Sequence, residues 1–239
     1  MGISFVGVAT PTFGNGGSAF SATSASFTPG ASGSTLLIGG GVFWSINTPQ
    51  SINYSTSLGP SFVSLNPPGN PTVDHSFDGW TTAYQLSSSQ ASQTVSMTTS
   101  ANNNSGFWAH VLEYSGVSRV DGNWNDNGNA TSGPGTGVGA CVGIPTVVPP
   151  GSYLVAYCSD AFNAIGSSTI TPVASGGVTP TTRSSAANSS FEGGFCWADW
   201  VGTGSTIIPS FTVTANEETV VFQFLLTPLG GAAVWLLGQ

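Results

Sequence analysis

The chain has 239 residues, 39% hydrophobic and 11% aromatic, with seven Trp, fourteen Phe, 33 Gly and 15 Pro. A chain of this length buries roughly three quarters of the surface it exposes when unfolded, so it needs no metal or disulfide staple, and its aromatic content excludes disorder. It has no lysine, its only strong bases are Arg119 and Arg183, and its net charge is -8, which excludes nucleic acid and anionic membranes, both bound through Lys and Arg.

In chain order, MGISFVGVAT lacks the positive segment and long apolar run of a secretory signal, and Val6 stands where myristoylation needs Ser or Thr. Synthesis and folding in a cytoplasm are therefore expected. Residues 1–17, Gly-rich with Phe5 and Phe13, are expected to form an arm or a first strand. Short β-prone runs follow, at 18–27, 34–44, 80–86, 93–99, 107–114, 138–148, 152–158, 194–201, 206–214 and 219–227, with a further one at 3–9. Between them lie NGG, PPGN, NNNSG, DNGN, SGPG and PPG, in which Gly and Asn supply positive φ and Pro ends pairing. No segment keeps helical periodicity over three turns, and Thr, Val, Phe, Tyr and Trp dominate the runs. The expected fold is all-β: an antiparallel β-sandwich, jelly-roll-like, of about ten strands in one domain over 18–227.

Residues 219–238 carry no charge, but Gln223, Pro228, Gly230 and Gly231 interrupt them, so terminal strands are expected there and not a membrane span. The last piece, PLGGAAVWLLGQ at 228–239, is a candidate docking strand with Trp235, Leu236 and Leu237 as partner-binding residues. Cys141, Cys158 and Cys196 have neither CxxC spacing nor a neighbouring His, and are expected as buried, reduced thiols.

The segment HVLEYSGV, residues 110–117, places a histidine three positions from a glutamate. In an extended strand, positions three apart point to opposite faces, so His110, Leu112 and Tyr114 share one face while Val111 and Glu113 share the other. The two titratable groups are expected not to meet.

That Leu-Glu-Tyr-Ser-Gly strand end resembles a pattern in β-sandwich domains of tailed-phage virion proteins and related bacterial surface proteins. FTPGASGSTLLIGGG at 27–41 is similar to the early leucine-rich strand of such domains, GWTTAYQL at 79–86 to their Trp-to-Tyr strand, PPGSYLVAY at 149–157 to a later strand, and EETVVFQFLL at 217–226 to the closing one. Ser34 and Thr35 stand where the pattern usually carries an acid. The resemblance covers most of the chain from residue 27 and implies virion or surface architecture. It brings no catalytic residues.

Direct search for chemistry finds no GxSxG, HExxH or phosphate-loop pattern, and GTGVGA at 135–140 follows a loop rather than a strand. Hydrolysis of a glycoside would need two carboxyl groups about 5 to 10 Å apart, with Glu113, Glu192, Asp199, Glu217 and Glu218 as candidates, Asp199 standing between Trp197 and Trp200 or serving as a lone edge or loop carboxylate. Within DGNWNDNGN, read as a loop, Asp121, Asn123, Asn125 and Asp126 have the oxygen spacing of a Ca2+ loop, although the Gly and the closing Glu of such a loop are missing. Trp124, in the same segment, is the candidate for stacking on a glycan. With no catalytic residues and no cofactor other than this Ca2+ candidate, the expected function is that of a structural virion protein, not an enzyme. It would be a capsid decoration or a tail- or fibre-associated subunit at the virion surface, with itself and other virion subunits as partners. The alternatives are a glycan-binding adhesin or carbohydrate-binding module, and a β-sandwich glycoside hydrolase.

Overall fold

The computed structural model describes residues 2–9, 21–44, 52–58, 60–65, 73–75, 78–99, 104–129, 139–160, 169–187, 194–214 and 218–228. The first half contributes β1 (Ser4–Ala9), β2 (Ser21–Thr23), β3 (Thr35–Trp44), β4 (Ile52–Thr56), β5 (Val63–Ser64), β6 (Val73–His75), β7 (Asp78–Gln85), β8 (Val95–Thr99) and β9 (Asn104–Ser115). The second half contributes β10 (Val117–Asn129), β11 (Gly139–Val142), β12 (Thr146–Val147), β13 (Tyr153–Asp160), β14 (Ile170–Pro172), β15 (Thr181–Ala187), β16 (Gly194–Val201), β17 (Thr206–Ile207), β18 (Ser210–Val213) and β19 (Glu218–Pro228). There is no helix among the described residues, and every strand pairing is antiparallel.

Two large sheets form the centre. The first runs β1-β9-β3-β7-β5, with β6 also on β7, and the second runs β10-β19-β13-β16-β15. They pack face to face through Leu37, Leu112, Tyr114, Tyr157, Trp197, Phe222 and Phe224, among others. Each has a small sheet on its outer face. β2-β8-β4 covers the first through Ile52, Val95 and Met97 against Leu36, Ile38 and Val111. β11-β18-β14 and the β12-β17 pair cover the second through Cys141, Ile207 and Phe211 against Leu154, Cys158 and Trp200. The result is a four-layered β-sandwich.

This layering accounts for the composition of the inner strands. A strand with one wet face alternates apolar and polar residues, whereas one covered on both faces reads as a continuous apolar run. LLI in β3, YLVAYC in β13 and VVFQF in β19 are of the second kind. The triple glycine of β3 has a packing reason at Gly39: a side chain there would come within 2.9 Å of the rings of Trp197 and Tyr157. Removing that Cβ lets two large rings of the facing sheet approach the backbone.

Against the expectation of about ten strands, the described residues hold nineteen strand segments, six of them only two or three residues long. Pro209 divides the expected 206–214 strand into β17 and β18, because proline cannot donate to a ladder. The described part of the expected 18–27 strand holds β2 and a single bridge between Phe27 and Gln93, and that of 138–148 holds β11 and β12. Six strands, β4, β5, β6, β10, β14 and β15, lie where the sequence predicts none. Of the expected N-terminal arm or first strand, Ser4–Ala9 forms β1, the edge of the first central sheet, and residues 10–17 with Phe13 lie outside the described residues. Of the uncharged 219–238 stretch, the described part lies in β19, between β10 and β13.

Candidate functional site

Glu113 and Asp199 are buried carboxylates. Glu113 sits near the end of β9 with its side chain turned toward the outer small sheet. It accepts from the backbone N–H of Gly30 at 2.8 Å, from that of Ala31 at 2.9 Å and from the Ser34 hydroxyl at 2.6 Å. The Ser34 hydroxyl also lies 2.7 Å from that of Ser88. This carboxylate therefore ties the segment leading into β3 to the strand beside it. Its oxygens are taken by the protein's own donors, which is how a buried carboxylate is kept without a partner cation.

Asp199 lies in β16 on the face turned to the first central sheet. Tyr114, the residue after Glu113, donates its hydroxyl to Oδ2 at 2.7 Å. Arg183, from the edge strand β15, closes on the same carboxylate, with Nε 2.6 Å from Oδ2 and an Nη2 contact of 3.2 Å to Oδ1. The Asp199 side chain is fully buried, whereas 21% of Arg183 is exposed. The guanidinium is 4.5 Å from the Phe5 ring centroid on β1, and Phe5 meets Tyr114 edge to face at 5.4 Å. One acid, one base, one phenol and one aromatic face thus join both central sheets along the edge where β1 overlies β15.

The electrostatics follow from that geometry. Burial first, and then the charge and hydrogen bond of Asp199, hold the Tyr114 phenol well above its ordinary range. Burial works against the charge of Arg183, but the Asp199 hydrogen bond and charge outweigh it, so the guanidinium is held above its ordinary value. Neither shift poises a group for proton transfer near neutrality, since both favour the form already dominant at pH 7. Burial pushes the Cys196 thiol up to about 12, and Cys141, Cys158 and Cys196 are buried thiols outside any disulfide, as the sequence predicts.

The expected separation in HVLEYSGV is found. His110 stacks on Phe195 at 3.5 Å between the central sheets, while Glu113 is bonded on the opposite side of the same strand. Because Tyr114 and Glu113 also alternate, Asp199 and Glu113 lie on opposite faces of the first central sheet, so these two do not form a glycosidase pair. The expectation of Asp199 as an edge or loop carboxylate is corrected: it lies in β16, between β13 and β15. Glu192 and Glu217 lie outside the described residues, and Glu218 opens β19.

DGNWNDNGN is corrected from a loop to the body of β10, paired along β19 with Asp121 opposite Leu225, Asn123 opposite Gln223, Asn125 opposite Val221 and Asp126 opposite Val220. In such a strand the backbone is extended and spaces residues 121, 123 and 125 about 7 Å apart, unlike the tight loop that gathers oxygen ligands around one Ca2+ ion. Asp121 instead receives Arg119 at 2.6 Å on the surface. Trp124 lies on this edge strand, opposite Phe222. No cluster of three His, Cys, Asp or Glu suited to a metal occurs among the described residues. Trp235, Leu236 and Leu237 lie outside the described residues.

Sequence reasoning missed the Arg183–Asp199–Tyr114 network. Its signal was present in the inventory: a chain with two arginines that places one in an otherwise uncharged run, TTRSSAA, is using that charge for something local. It also missed the buried amide of Gln223. This side chain donates to the Ile144 carbonyl at 2.9 Å and to Thr146 Oγ1 at 2.8 Å, and accepts from the Ile144 N–H at 2.8 Å, latching β19 to the outer layer. Compared with protein-family models, curated proteins and solved structures, the chain matches none.

Proposed function

We propose that the protein is a structural subunit of a tailed-phage virion, a capsid decoration or a tail- or fibre-associated component, which works through contacts between subunits at the virion surface. The observation that carries this reading is the use of its buried acids: Glu113 and Asp199 are each saturated by the protein's own donors, and they face away from one another. A site for chemistry keeps at least one such group free to exchange a proton or hold a reacting atom. With two arginines and no lysine, the surface is also inexpensive to desolvate, which favours packing against other subunits. The resemblance of the TLLIGGG, WTTAYQL and LEYSG elements to virion sandwich domains supports the same reading.

Light scattering coupled to size exclusion, over a rising concentration series, tests it. A discrete, concentration-dependent assembly is expected, and closed symmetry would give it a fixed stoichiometry. A strict monomer at every concentration would overturn self-association as the mode of action.

A further inference from the structure

The two halves of the chain wind in the same way. With β5 and β6, which both pair β7, counted as one, the described residues of the first half hold eight strands, and so do those of the second if the short β12 and β17 are set aside. In the first half the large sheet runs first, eighth, third, sixth, fifth (β1-β9-β3-β7-β5), and in the second it runs β10-β19-β13-β16-β15, the same order. The small sheets agree too: β2-β8-β4 and β11-β18-β14 are both second, seventh, fourth. Even the β12–β17 pair has a counterpart, since the Phe27–Gln93 bridge falls at the same point, before the third strand and after the sixth.

Register extends the match to single residues. Leu37 lies between Leu112 and Tyr84 as Val155 lies between Phe224 and Asp199. Met97 lies between Ala22 and Tyr54 as Phe211 lies between Cys141 and Pro172. Each third strand is approached through a glycine of positive φ, Gly33 at 69° and Gly151 at 81°, in the matching runs GSTL and GSYL. The seventh strands keep a trace in sequence: SMTTSAN at 96–102 and SFTVTAN at 210–216 agree at their first, third, sixth and seventh positions.

We propose that the chain is two copies of one jelly-roll unit joined at Gly116, and that the contact between its central sheets is an internal two-fold interface in which each unit is the partner of the other. Pairing first with eighth, second with seventh and third with sixth is the winding of a jelly roll. Each unit has a core of its own, Leu36 to Val111 in the first and Cys141 to Val221 in the second. The third core is shared and built from equivalent positions: Phe5 with Val120, Leu37 with Val155, Leu112 with Phe224, and Tyr114 with Leu226. Such self-matching is the mark of an isologous contact. The units have diverged where charge entered, with Asp199 equivalent to Tyr84 and Glu113 to Leu225, so the Tyr114–Asp199 bond has an apolar counterpart in Leu226 and Tyr84. The inference stands independently of the virion reading.

A two-fold relation also places the end of β19 beside the start of β1, as the end of β9 lies beside the start of β10. The structure agrees: Val117 is opposite Pro228, and a side chain on Gly116 would come within 2.4 Å of the Gly2 carbonyl oxygen. A circular permutant tests the proposal with every residue retained. Its old ends are joined by a Gly/Ser linker and its new ends fall between Gly116 and Val117. The comparison permutant opens the turn between Gly176 and Gly177, inside the second unit, where Ser175 bridges Val178. The boundary permutant is expected to fold, to melt cooperatively within a few degrees of the parent and to outlast the comparison permutant. A boundary permutant that does not fold, or that melts no higher than the one opened within a unit, would overturn the two-unit reading.

Discussion

Asp199 shows what a charge costs inside this molecule and what offsets the cost. Its carboxylate is out of water, so it persists only because Tyr114 and Arg183 both bond it. Asp199→Ala would leave a largely buried guanidinium and a buried phenol without their acceptor. A loss of about 3 kcal/mol in denaturant unfolding is expected, toward the lower end for buried pairs because Arg183 keeps some water contact. Gly39→Val tests the facing rings: Tyr157 and Trp197 occupy the space of the new side chain, so destabilisation of about 1–3 kcal/mol or more is expected. The raised pKa values give a third expectation. In the unfolded chain the Cys196 thiol loses its proton around its ordinary value of 9.0, whereas in the fold it keeps it to about 12. Tyr114 likewise keeps its proton well above its ordinary value of 10.0. In both cases the unfolded state binds fewer protons over that window, so stability is full below it and falls as pH rises through it, by about 1.4 kcal/mol per pH unit for each group. Denaturant unfolding between pH 8 and 12 checks this, and Cys196→Ala should remove the part of the decline that begins near pH 9.

At the scale of the element, β9 combines two tasks because its faces alternate: Tyr114 serves the interior between the central sheets, and Glu113 holds the approach to β3. Glu113→Ala removes one acceptor from three donors and is expected to cost about 2–3 kcal/mol. Native-state hydrogen exchange should show the amides of Gly30 and Ala31 exchanging faster while β13 and β19 remain protected at the level set by global stability. β9 was legible in the sequence, as were β3, β13, β16 and β19, because each carries an apolar run bounded by turn residues. β10 and β15 were not. Both are edge strands, and VSRVDGNWNDNGN and TTRSSAA lack the apolar run that marks an inner strand. Asn-Gly and Asp-Gly steps in β10 are turn signals by composition, and pairing along the whole of β19 overrides them. The Glu113 clip was legible only in part: alternation gives the face it points to, while its donors come from residues about eighty positions away.

For the whole molecule, the low charge and the four layers belong together. Two central sheets covered on both faces need many residues without charge, and the chain supplies them with only 5% Asp, Glu, Lys and Arg. All-β class and antiparallel pairing were readable from turn spacing, whereas the layering was not, since a run such as YLVAYC tells that both faces are covered but not by what. The central claim is that Glu113 and Asp199 serve the architecture while the protein acts through its surface. The direct measurement is the assembled mass, by light scattering, of Glu113→Gln and Asp199→Asn at a temperature where each is shown by circular dichroism to be folded. Both are expected to assemble to the mass of the parent despite lower melting temperatures. A folded variant that fails to assemble would contradict the account.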